Sequence, residues 1–147
     1  MGSPRFFANG VPREPIADSR FLHGYGVSFK IYFEGELDEK NWVFDFGGLK
    51  RAKTLIDGKQ PKEYFNYMFD HTVIIAEDDP EVKAFKQMGE AGVAQVRVIP
   101  ATGAEKFAEF IFNKVNPFVL EETDGRVKVT KVKFMEHGKN AATYGNI

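Results

Sequence analysis

From His23 to Glu34 the chain alternates strictly: His23, Tyr25, Val27, Phe29, Ile31 and Phe33 fall on one parity, and Gly24, Gly26, Ser28, Lys30, Tyr32 and Glu34 on the other. Only an extended backbone sends every second side chain to the same side, so this segment predicts a long strand with one buried face. Gly35-Glu36-Leu37-Asp38-Glu39 then reads as a turn, and Asn41-Trp42-Val43-Phe44 as the antiparallel return.

The rest of the chain can be divided by the same logic. Asp45 suits a helix N-cap, with Leu49, Ala52, Leu55 and Ile56 on one face and Gly58 as the stop. Residues 59–78 read as loop around Asp70-His71, and Asp79-Pro80 as the start of a helix facing inward through Val82, Phe85 and Met88. Residues 95–99 form a short strand. Thr102-Gly103-Ala104-Glu105 has capping-box spacing and opens a helix with Phe107, Ala108, Ile111 and Val115 inside. Asp124-Gly125 predicts a hairpin between residues 118–122 and 126–130. The apolar phase slips between Val129 and Val132, which predicts a bulge or bend at Thr130-Lys131. With no linker or repeat, residues 1–147 are expected to form a single antiparallel α+β domain.

Composition excludes several functions. A net charge of −1 without any basic stripe argues against a nucleic-acid binder. No apolar run approaches the length of a membrane span, so no membrane partner is expected. The absence of cysteine removes disulfides, thiolate metal sites and cysteine nucleophiles, and makes the cytoplasm the default location. Fifteen phenylalanines are enough for a core, or for a core and an oligomer interface.

Three places carry chemistry. Glu136 shares parity with Val132 and Phe134, so it should point to the buried side and needs hydrogen-bond donors there, from protein or ligand. The paired N–H edge of a pterin or guanine fits the two oxygens of a carboxylate; a solvated strand end is the alternative. Asp70 could orient and charge the imidazole of His71 as a proton relay, or the pair could simply be a loop Asx turn. His23 and Tyr25 lie two apart on one strand face, the spacing of two legs of a zinc site. A phenol, however, must lose a proton near pKa ~10 to ligate well. Asp18 is the nearby carboxylate that could assist, and a histidine simply hydrogen-bonded within a partly buried strand is the other reading of His23. Glu105 is explained by its capping box with Thr102.

Phe21-Leu22-His23-Gly24-Tyr25, the Val27–Phe33 strand, Gly35-Glu36-Leu37-Asp38 and Val43-Phe44-Asp45-Phe46-Gly47-Gly48-Leu49-Lys50 together resemble, without a gap, the Leu-His-Gly-His strand, Gly-Glu-Val-Asp turn and Asp-Phe-x-x-Leu-Lys segment of the 6-pyruvoyl/6-carboxy-tetrahydropterin synthase family. Phe69-Asp70-His71 resembles the family's Leu-Asp-His motif. Glu105 to Val115 is similar to the helix after its Thr-Ser/Ala-Glu motif, and Val132 to Glu136 to the strand ending in its pterin-anchoring Glu. The resemblance implies the tunnelling fold, an antiparallel sheet with helices packed on one face that oligomerises into a barrel. It further implies a homo-oligomer with sites at subunit interfaces, and a pterin-type ligand bound by Glu136 and Glu105. Asp70 and His71 would then be the proton-moving pair of a zinc-assisted carbon–oxygen lyase acting on 7,8-dihydroneopterin triphosphate.

The sequence departs from that pattern where the metal and base should be. The family's first zinc histidine falls near Gly10, its second on His23 and its third on Tyr25, while its catalytic cysteine falls on Ser19. A serine hydroxyl is too weak an acid to replace a thiolate unless something activates it. Residues 72–101 are longer than the family pattern before Glu105 and are expected to reshape the pocket. Two functions follow: a divergent lyase using His71, Asp70 and Asp18, or a non-catalytic binder of a pterin or purine-like ligand. A purely structural oligomeric domain is the third.

Overall fold

The computed structural model describes residues 5–10 (backbone only), 22, 24, 26–136 and 140–146. A four-stranded antiparallel sheet runs in the order β1-β6-β5-β2, from β1 (Arg5–Gly10), β2 (Val27–Gly35), β5 (Val127–Glu136) and β6 (Asn140–Gly145). Helix α1 (Pro61–Phe69) and helix α3 (Ala104–Glu122) cover the face that carries Phe29 and Phe134. Between them lies a β–α–β unit: β3 (Val73–Ala76), α2 (Val82–Glu90) and β4 (Val96–Ile99), with β3 and β4 paired in parallel.

The predicted alternation holds along β2, where Val27, Phe29, Ile31 and Phe33 are half-buried and Ser28, Lys30, Tyr32 and Glu34 exposed. The predicted slip is real as well. Tyr32 pairs with Lys131 but Phe33 pairs with Val129, so Thr130 is the extra residue. The bulge keeps Val127 and Val129 on the same buried side as Val132 and Phe134. Gly145 of β6, at φ 149°, crosses this point so closely that a Cβ there would run into the Thr130 carbonyl and the Lys131 backbone.

The predicted α3 face is buried in full: Phe107, Ala108, Ile111 and Val115 are at most 7% exposed. Its N-cap is Gly103, without a side-chain cap bond, so the capping box of Thr102 and Glu105 does not form. The helix also runs on through Pro117, which lies on its exposed side, to Glu122. Residues 118–122 are therefore helix and no hairpin strand. Phe118 and Val119 continue the stripe of Ile111 and Val115, and Asp124 (φ 52°) with Gly125 (φ 82°) ends the helix, the Gly125 N–H donating to the Leu120 carbonyl at 2.7 Å.

Two other expectations give way for one reason, that side chains take the backbone groups that regular structure would have used, and the segments after them differ as well. Residues 41–44 form no strand, because Asp38 accepts the N–H groups of Lys40 and Trp42, and Arg126 donates to the carbonyls of Glu36 and Val43. Asp45 does cap, accepting the Gly47 N–H at 2.9 Å, but only a single 3-10 turn follows, Phe46–Leu49. Beyond it Gln60 clasps both backbone groups of Ala52, and the Glu122 carboxylate accepts from Lys53 and Thr54. Asp57-Gly58, both at positive φ, then make a tight turn between Ile56 and Lys59 instead of a helix stop. Residues 59–78 are not loop: they hold α1, with Pro61 in its first turn, and β3. Helix α2 begins at Val82, since Asp79 and Pro80 belong to the turn before it.

Candidate functional site

A cleft of about 800 Å³ opens between β2, the 3-10 turn and α1. Gly26, Val27, Phe29 and Ile31 supply the sheet side, Phe46 and Leu49 the turn, and Phe65 and Phe69 the helix. Phe29 anchors the aromatic wall, its ring centroid 5.0 Å from Phe65 and 6.1 Å from Phe69. Polar groups stand around the apolar interior: Lys50, Lys62, Asn66, Asp70 and His71. Such a cleft suits a flat, largely apolar ring edged with hydrogen-bonding groups.

Asp70 is the C-cap of α1, with its N–H donating to Asn66, and His71 follows at φ 55°. That left-handed step turns the imidazole back, so that Nδ1 lies 2.9 Å from Asp70 Oδ1. Adjacent side chains in a plain extended segment would point apart. The pair is solvent-facing, at 88% exposure for His71 and 68% for Asp70, so it adds little to stability and is open to a ligand. A carboxylate on Nδ1 fixes that nitrogen as the donor and leaves Nε2 to exchange a proton.

The register sets Glu136 opposite Val27, on the face of Phe134 and Phe29. Glu136 is half-buried and stands beside the cleft; it is not among its lining residues. Glu105 is exposed in the first turn of α3 and does not line the cleft either. The expectations for Asp18, Ser19, His23 and Tyr25 lie outside the described residues. Gly10 is described by its backbone, paired with Asn140.

Among the described residues no group of three or more His, Asp or Glu side chains could hold a metal ion. By their chemistry alone, Gly10 has no side chain and Tyr25 offers a phenol where the resemblance wants imidazoles. These residues do not fit a three-histidine zinc site. Phe65, Phe69, Lys50 and Lys62 are the site residues missed from the sequence. The signal for the two phenylalanines is their spacing of four after Pro61, with Tyr64 and Met68 beside them: one face of a helix.

The antiparallel sheet backed by helices is the architecture of the tunnelling fold. Residues 6–146 match the family model of 6-pyruvoyl tetrahydropterin synthase, and the chain belongs to that family. No curated protein matches it. Among the described residues no helix is long and apolar enough to cross a membrane.

Proposed function

We propose that this chain is a pterin-binding member of the family, working as a cytoplasmic homo-oligomer, with the β2–α1 cleft as its ligand site. The observation that carries the reading is the aromatic cleft itself, with the hydrogen-bonded Asp70–His71 pair at its rim and Glu136 beside Val27. Phe29, Phe65 and Phe69 face the flat ring. Glu136 accepts paired N–H donors from the ring edge, and His71, oriented by Asp70, exchanges a proton with a side-chain hydroxyl of the ligand through Nε2. Two edges of the sheet, at β1 and β2, are unpaired among the described strands, which supports assembly through strand edges. A second reading, carbon–oxygen lyase action on 7,8-dihydroneopterin triphosphate, is favoured by the 2.9 Å Asp70–His71 contact, which gives that rim group the parts of an acid–base catalyst.

The test is a fluorescence titration of neopterin into the wild-type protein and into Glu136→Gln. Saturable binding that weakens about tenfold or more in the variant is the expected result, because one acceptor oxygen becomes a donor facing donors. A wild-type protein that does not bind neopterin overturns the reading.

A further inference from the structure

His71 stands where the aromatic cleft meets a second one, lined by the β–α–β unit. Of the four non-glycine residues with positive φ among the described residues, it alone is neither Asn nor Asp. Such a backbone persists only where its surroundings hold it. What holds it is the end of α1. The Asp70 N–H makes the last helical bond, to the Asn66 carbonyl at 2.9 Å. The carbonyls that follow have no donor within the helix. Arg97 Nε donates to the Tyr67 carbonyl at 3.0 Å, and the Thr72 hydroxyl to the Met68 carbonyl at 2.7 Å. Arg97 is itself fixed on both sides, its guanidinium carbon 3.6 Å from the centre of the Tyr67 ring and its Nη1 donating to the Val96 carbonyl at 3.2 Å. Just past the turn, the Val73 N–H donates to the Gln95 carbonyl at 2.8 Å, which ties the start of β3 to the segment that leads into β4.

We propose that Arg97 and Thr72 are positioning residues for the Asp70–His71 pair. By closing the end of α1 they keep His71 in its left-handed step, which brings Nδ1 to 2.9 Å from Asp70 Oδ1 and leaves Nε2 free. Without those two bonds the step relaxes toward extended backbone, where adjacent side chains point apart and the imidazole loses its carboxylate. The β–α–β unit thus acts on the site through Arg97, without touching the ligand. This deepens the reading above, in which His71 exchanges the proton, and it is tested without ligand so that the two can fail separately.

The test reads the His71 tautomer from the nitrogen NMR resonances of its ring at a pH of about 9, above the ~6.5 at which an ordinary imidazole ionises. The chain has three histidines, and His71→Gln assigns the signal. In wild type Nδ1 should be the protonated nitrogen and Nε2 the bare one. Arg97→Ala and Thr72→Val should each lose that preference and show a mixture of the two tautomers, whereas Thr72→Ser, which keeps the hydroxyl, should retain it. Ile75→Val controls for mere loosening of the unit: Ile75 is buried in β3 and makes none of these bonds, so this variant should match wild type. A mixture already in wild type overturns the proposal, as does an unchanged tautomer in folded Arg97→Ala and Thr72→Val. So does an equal mixture in Ile75→Val, because general loosening would then be responsible. If Arg97→Ala does not fold, Thr72→Val beside Thr72→Ser decides: a mixture in the first alone keeps the proposal, and no difference ends it. Neopterin binding by wild type, which carries the pterin reading, is measured independently of all these outcomes.

Discussion

Strand β5 buries Val127, Val129, Val132 and Phe134 to 2% exposure or less, whereas helix α2 of the β–α–β unit has no buried residue. Both regions carry apolar residues, α2 through Val82, Ala84, Phe85 and Met88, so the presence of apolar side chains does not make the difference. β5 lies between two strands and under α3, and each of its inward residues is enclosed from several directions. The β–α–β unit has two strands and one helix, and of its strand residues only Ile75 and Ile99 are buried. It depends on particular fastenings such as the Arg97–Tyr67 stack. The comparison separates a scaffold whose shape is over-determined from a unit whose shape rests on a few polar contacts, and the aromatic cleft and the cleft of that unit meet at His71.

The comparison breaks most visibly at Phe134, which is fully buried against Phe69 and Phe107. Phe134→Ala should cost about 3–5 kcal/mol and lower the global melting temperature; a loss below 1 kcal/mol by urea denaturation would mean that the sheet core is loosely packed. Arg97→Ala should cost about 1–2 kcal/mol, and only locally. Hydrogen exchange should rise across residues 73–99 while β5 amides keep their protection, and equal losses in both regions would erase the distinction drawn here.

A finer test concerns Tyr64 of α1. Burial, with the charge of the adjacent Asp57 adding to it, raises the Tyr64 pKa. In the unfolded chain the hydroxyl ionises near ~10. Its contribution is therefore intact below that value and is lost progressively as pH rises above it toward the folded-state pKa. Tyr64→Phe should lower stability at neutral pH by about 1 kcal/mol and should lose less than wild type between pH 9 and 11, read from urea midpoints. Identical losses would show that Tyr64 does not couple α1 to the Asp57 turn.

What could be read in advance follows from how each segment carries its information. β2 and α3 were legible because their apolar residues recur at periods of two and of three to four, with enough repeats to exclude other shapes. The Thr130 bulge was legible as a break in such a period. Residues 46–60 were not, since their conformation depends on Gln60 and on Glu122, a residue far along the chain, and no local pattern encodes a distant carboxylate. Asp124-Gly125 is ambiguous in itself: the same positive-φ pair that closes a hairpin also ends a helix, and the packing of Phe118 and Val119 decides between them. In the site, Asp70-His71 was visible as a dipeptide, but the turn that joins the two side chains was not. The aromatic wall was hidden because Phe65 and Phe69 fall in a stretch whose helix begins without a side-chain cap.

The position of β6 within the sheet has a consequence in time. β6 lies between β1 and β5, and Arg5 of β1 pairs with Gly145. On a ribosome adding about 5–20 residues per second, β1 is exposed on the order of ten seconds before its hydrogen-bonding partner exists. During that interval β2, α1 and α3 are made, and β5 is completed only four residues before β6 begins. Strand β1, whose one partner in the sheet is β6, can therefore take its place only after the far end of the described chain has been made.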